Sequence, residues 1–294
     1  MNKIKIKIRA SAAKILPSFL KKNIRIVYFK AKGSKSLKEF SSYKKNKDIC
    51  VIGNGPSLKD DLVFLYSKIG LCDFVCVNQF SESKEYDILK PNVYLFLDEA
   101  WFSDDFPFLE SIVYQTLDAI NLKTTWKLLI LVPFGSNLSI IKSRINNSNV
   151  IVEEFLSIPV SYEKKIDTIL VNLDGCYAAP VSCNVINYSV YLSIIWGYSN
   201  IYICGLDMSI YRDILVSQLD NDKYLITKHF YEEDKKILLR KNPDRIEPWK
   251  MYELYHEASI IFKTHNILNE YAIKKGVNII NKSSFSMVDA YKRK

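Results

Sequence analysis

From Asp48 to the C-terminus, apolar runs of strand length alternate with stretches of helical periodicity, and few folds satisfy that alternation. The runs are Ile49–Ile52, Phe74–Val77, Val93–Leu97, Leu128–Val132, Val150–Val152, Ile201–Cys204 and Val277–Ile280. Each is too short for a stable helix and most are rich in β-branched residues. Between them, Val181, Val185, Tyr188, Leu192 and Ile195 recur at spacings of four and three, one face of a helix that Gly197 closes. Leu254, Ala258, Ile261, His265, Leu268 and Ala272 predict a long helix from near Pro248 to Gly276. Strand–helix repetition implies a mainly parallel sheet with helices on both faces, a Rossmann-like α/β fold. A chain of 294 residues, 48% apolar, has the core for one such domain. Ser209–Glu247 stands apart. It is long, rich in charge and tyrosine, and without a clear strand, which predicts a lid-like insertion.

The charge is divided unevenly. The chain carries +9 overall, yet residues 1–47 hold 15 Lys/Arg and one acid, Glu39, leaving −5 on the rest. The expected organisation is a basic leader over 1–47 and one catalytic domain over 48–294. Pro17 interrupts any long helix in the leader, and no run reaches the ~18 apolar residues of a membrane span. The apolar core of a secretory signal is missing too. Cations mixed with Ile15, Leu16, Phe19, Leu20, Ile24, Ile26 and Phe29 suit an anionic membrane surface. A solvated arm fits the same composition. No nucleic-acid motif accompanies the charge, so no nucleic-acid partner is expected. The six cysteines form no C-x-x-C pair, and the three histidines are not spaced with them as zinc ligands. Reduced thiols and a cytoplasmic location, peripheral on the inner membrane face if the leader binds there, are the expectation.

The sharpest chemical feature is Gly53-Asn54-Gly55-Pro56-Ser57-Leu58, directly after the first strand. Glycines let backbone N–H groups approach a phosphate or ribose, and Pro56 and Ser57 suit the opening of a helix whose start favours an anion. The motif is neither a dinucleotide fingerprint nor a Walker A loop. A ligand-free strand–helix turn is its plain alternative. The next two strands end in Asn78-Gln79 and Asp98-Glu99, and a fourth ends in Gly205-Leu206-Asp207. Ligands of open parallel sheets bind beyond the carboxyl ends of strands, so these positions are candidate nucleotide contacts. Asp207 serves equally well as a cap on local backbone. Of the histidines, His229 lies in the insertion, His256 off the apolar stripe of the long helix and His265 on it. His229 is therefore the leading general base and His265 a core residue. Asp220-Asn221-Asp222 has the D-x-D form of metal-binding sugar transferases but sits in polar sequence, and is read as a turn. No metal is expected.

These stretches resemble the bacterial sialyltransferases of glycosyltransferase family 42, together with Maf-type flagellin glycosyltransferases and the MptE-like pterin pyrophosphokinases. The resemblance runs from about Asp48 to about Asn281. It rests on ICVIGNGPSLK, VNQF, GYSNIYICGLDMSIY and KHFYEED, in that order. It implies a modified GT-A-like fold, a CMP-activated nonulosonic acid donor such as CMP-sialic acid, no metal, and transfer with inversion to a surface glycan or lipid-linked acceptor. It implies that Asn54, Gly55, Ser57, Asn78 and Gln79 hold the nucleotide, with Tyr211 near the phosphate and His229 at or beside the base. Three departures stand against it. The second histidine of the family's lid is replaced by Glu232-Glu233-Asp234. The family's Asn-Pro-Ser after the third strand is Asp98-Glu99-Ala100 here, and its arginine before the long helix has no counterpart within Leu173–Asn184. The rivals are a pterin diphosphotransferase using ATP and Mg²⁺, with Asp98, Glu99 and Asp207 as ligands, and a non-catalytic scaffold.

Overall fold

The computed structural model describes residues 18–103, 105–106, 109–160, 164–180, 184–227, 235–241 and 247–293. Its strands are β1 (Asp48–Ile52), β2 (Cys72–Val77), β3 (Val93–Leu95), β4 (Leu128–Pro133) and β5 (Val150–Phe155), then β6 (Ile158–Val160), β7 (Ala178–Pro180) and β8 (Asn200–Cys204). They continue with β9 (Ile214–Val216), β10 (Lys223–Thr227), β11 (Lys235–Leu238), β12 (Asn278–Asn281) and β13 (Lys292–Arg293). Eight of them form one sheet in the order β13-β12-β8-β1-β2-β3-β4-β5, parallel throughout. All seven strands expected from the sequence lie in it. The short edge strand β13 carries no apolar run and was not foreseen.

Helices cover both faces: α1 (Ser18–Ala31), α2 (Leu58–Tyr66), α3 (Glu85–Leu89), α4 (Glu110–Lys123), α5 (Ser139–Arg144), α6 (Ile166–Asp174), α7 (Val185–Ile195) and α8 (Met251–Lys275). Side chains alternate along each strand, so one continuous apolar run feeds two cores. Ile49, Val51, Val75, Val77, Leu129 and Leu131 pack with α7 and α8. Cys50, Ile52, Phe74, Cys76, Leu128 and Ile130 pack on the other side with α2 and α4. Helix α7 is buried from Val185 to Ile194, so it is a core helix rather than an amphipathic one. Its buried Ser189 and Ser193 hydroxyls donate to the carbonyls four residues back, satisfying themselves within the helix. Gly276 closes α8 with φ 68°, a left-handed turn that favours glycine.

Two segments depart from expectation. The basic leader joins the body well before Asp48. Leu37 and Phe40, in the 3-10 turn Leu37–Tyr43, are buried in the main core, and the Trp196 indole N–H donates to the Leu37 carbonyl at 2.8 Å. The insertion is not strandless either. Strands β9, β10 and β11 form a small antiparallel sheet within it, in the order β11-β10-β9. Its strands are short and carry Lys223, Lys235 and Lys236, which hides the alternation that marks a half-buried strand. Asp220-Asn221-Asp222 is the turn between β9 and β10, where Asp220 accepts from the Asp222 N–H and Asp222 pairs with Arg240 at 2.5 Å.

Candidate functional site

Strand order reverses at β1, which has β2 on one side and β8 on the other. Such a switch point splays the following loops apart and is where open sheets hold ligands. Here the two loops close on each other instead. The N–H groups of Gly53 and Gly55 donate to the carbonyls of Cys204 and Gly205 at 2.8 and 3.0 Å. A Cβ at Gly53 would lie 2.4 Å from the Gly205 carbonyl oxygen, and one at Gly55 would lie 1.9 Å from Asp207 Oδ2. The glycines are thus required by loop-to-loop packing, a role that needs no ligand.

Two carboxylates lock this contact reciprocally. Asp207, after β8, accepts the Ser57 N–H at 3.1 Å and the Ser57 hydroxyl at 2.6 Å. Asp61, in the first turn of α2, accepts the Gly205 N–H and the Ser284 N–H, both at 2.8 Å. Ser57 caps α2, so the anion that a helix start favours is already present as Asp207. Burial pushes the Asp207 carboxyl above its usual range, opposed by the bonds from Ser57. Burial likewise raises Asp61 to about 6. Neither Asp61 nor Ser284 stood out in the sequence. An acid in a first turn reads as an ordinary dipole partner, and nothing local marks Ser284.

The groups left open lie between the ends of β1 and β2. Asn54 donates its amide to the Val77 carbonyl at 3.1 Å, which fixes the other end of its carboxamide as an acceptor. That Oδ1 is buried with no hydrogen-bond partner among the described residues, and so is Oδ1 of Asn78, the next residue along from Val77. Asn78 has φ 48°, a left-handed conformation uncommon outside glycine. The buried Tyr94 holds it, accepting the Ser81 N–H at 3.0 Å while donating to the Asn78 carbonyl. Gln79 follows, half-buried, in the 3-10 turn Asn78–Glu82.

Asp98 follows the end of β3, beside β2 in the sheet. Its side chain is exposed, and desolvation by the neighbouring protein pushes the carboxyl to about 6. Beyond it, a cavity of about 210 Å³ is lined by Ala100, Ser103, Phe106, Glu110, Tyr114 and Ile140.

Past Asp207, the half-buried Tyr211 rests against Phe262 of α8, with ring centroids 6.3 Å apart. His229 lies outside the described residues, as do Glu232 and Glu233. His256 is exposed on α8. His265 is fully buried with Nδ1 2.8 Å from the Tyr291 hydroxyl, and burial lowers its pKa to about 3. It is a neutral core residue.

Fold and site together define a doubly wound parallel α/β protein with polar side chains at the carboxyl ends of β1, β2 and β3. No family model and no curated protein matches the sequence. Among solved structures, the chain is similar to the Maf glycosyltransferase from Magnetospirillum magneticum AMB-1, with a TM-score of 0.46 and 10% identity. The match covers 85% of this chain and 34% of that one, so the chain spans about a third of that protein's length. A likeness this slight carries no argument about residues or reaction.

Proposed function

We propose that the chain is a glycosyltransferase that takes a CMP-activated sugar, of the nonulosonic acid class, and passes it to a glycan or lipid-linked acceptor with inversion. The observation that carries the donor reading is the pair of buried, unpartnered carboxamide oxygens on Asn54 and Asn78. Acceptors without donors cost free energy until something donates to them. Ribose hydroxyls and the exocyclic amine of cytosine are donors; a phosphate is not. The nucleoside therefore belongs over β1 and β2, and the phosphate away from the start of α2, which Asp207 already neutralises.

In this reading the acceptor hydroxyl oxygen bonds to the anomeric carbon of the donor as the bond from that carbon to the CMP phosphate oxygen breaks. The transition state has oxocarbenium character. His229 takes the acceptor proton, and Tyr211 donates its phenolic O–H to the departing phosphate, where fixed donors lower the barrier most. Glu232 and Glu233 are the substitutes for His229. Phe106, Tyr114 and Glu110 around the 210 Å³ cavity offer aromatic faces and a carboxylate to a sugar acceptor. No metal has a part. The pterin diphosphotransferase reading needs Asp98, Glu99 and Asp207 on one Mg²⁺, and Asp207 is 4% exposed with both oxygens turned to Ser57.

Calorimetry with CMP, CDP, UDP, GDP and ATP, each with and without EDTA, tests the proposal. CMP should bind in EDTA, and Asn54→Ala or Asn78→Ala should weaken it by about 1–3 kcal/mol. Binding of ATP only with Mg²⁺, and none of CMP, would overturn it.

A further inference from the structure

Helix α1 has two apolar faces, and only one is covered. Phe29 is buried against Leu156 and Ile158, with Ile26 and Tyr177 beside it and its ring 5.9 Å from that of Phe134. Lys30 lies over the Tyr177 ring at 4.6 Å. This seats the helix on the body. Ile24, Val27 and Tyr28, at spacings of three and four, form a stripe on the opposite side. They are 40%, 66% and 39% exposed.

The surroundings of that stripe decide what covers it. The first 47 residues hold 15 cations and one acid, five of those cations before Pro17. A second copy docking through the same stripe would bring like charge against like. A nucleic acid would meet the cations but leave Ile24 and Val27 in water. An anionic lipid surface answers both, since an interfacial helix sinks its apolar face into the boundary between headgroups and acyl chains while flanking cations pair with the headgroups. No described helix is long and apolar enough to cross a membrane.

The seat of α1 adds a direction. Phe134 directly follows β4 and Leu156 directly follows β5, both at the carboxyl end of the sheet. Asn54, Asn78 and Asp98, after β1, β2 and β3, lie at that same end. We propose that α1 lies in the interface of an anionic bilayer through Ile24, Val27 and Tyr28, and that this puts Asn54, Asn78 and Asp98 on the membrane-proximal end of the molecule. The surface stands whether or not the donor is a CMP-sugar.

Flotation of the full-length chain with phosphatidylcholine vesicles, with and without phosphatidylglycerol, tests this. The chain should float only when phosphatidylglycerol is present. The triple variant Ile24→Ser, Val27→Ser, Tyr28→Ser should lower partitioning by about tenfold or more with unchanged melting, because all three side chains face solvent. Raising salt should release the protein, as charge attraction is screened. Any of these results would overturn the proposal: no flotation with anionic vesicles, flotation of the triple variant equal to that of the parent, or a stripe variant that instead converts a dimer to a monomer. Retention of a single-stranded RNA that depends on the stripe would do the same.

Discussion

Asp207 and Ser57, 150 positions apart, are joined by two hydrogen bonds to one carboxylate, from the serine N–H and from its hydroxyl. This contact ties the loop after β1 to the loop after β8 and settles the shape of the switch point. Both residues are buried, so the pair is not exchanged for water in the folded protein. Removing the carboxylate leaves two donors without an acceptor. Asp207→Ala should destabilise the fold by about 1–3 kcal/mol. Ser57→Ala, which keeps the N–H bond, should cost less. Urea unfolding measures both, and equal stabilities for Asp207→Ala and the parent would remove the clamp from the account.

The matching carboxylate, Asp61, predicts a dependence on pH. Its pKa is raised by burial from 3.8 to about 6. Between those values the unfolded chain loses the proton while the folded one keeps it, so the folded state binds more protons and stability falls as pH rises. Two pKa units correspond to about 3 kcal/mol. Asp61→Asn should remove the Asp61 share of the fall between about pH 4 and 6, leaving that of Asp98 and Asp207. Unfolding of parent and variant across that range is the measurement, and parallel profiles would contradict the assignment.

Leu37 sits 1% exposed in the main core, although it belongs to the basic leader. Leu37→Ala should cost about 2–5 kcal/mol, as for other buried leucines. A chain starting at Lys32 should melt cooperatively, and one starting at Asp48 should not match it, because Leu37, Phe40 and the Trp196 bond are lost together. Circular dichroism melts separate the two; indistinguishable melts would show that the turn adds nothing.

His229 carries the proposed proton transfer, and general-base help is typically worth 10²–10⁴-fold. His229→Ala should lower turnover on that scale at saturating donor while CMP affinity holds. Parent turnover in His229→Ala would pass the role to Glu232 or Glu233, for which Glu232→Gln and Glu233→Gln are the tests. Asp220→Ala with Asp222→Ala should leave turnover near the parent value, since Asp220 only closes a turn and Asp222 pairs with Arg240.

By itself the sequence determined the sheet. Seven of its strands were readable as short apolar runs, unbroken where a parallel strand is buried on both faces as in β1, β2 and β4, and Gly197 and Gly276 announced the ends of α7 and α8. Local pattern also placed Asn54, Asn78 and Asp98 at strand ends. Only the tertiary structure decided which polar groups at those ends are spent. The Gly53–Ser57 loop reads locally as a phosphate cradle, because glycines and a helix start permit one. Packed against Gly205 and Asp207, its Gly53, Gly55 and Ser57 N–H groups are occupied and its anion is supplied by the protein. The open acceptors are Asn54 and Asn78 instead. Hydrogen-bond partners 150 residues apart leave no periodic trace in a chain, so satisfaction of a polar group is settled by folding alone. The same holds for Leu37, whose burial depends on Trp196, a residue no local pattern connects to it.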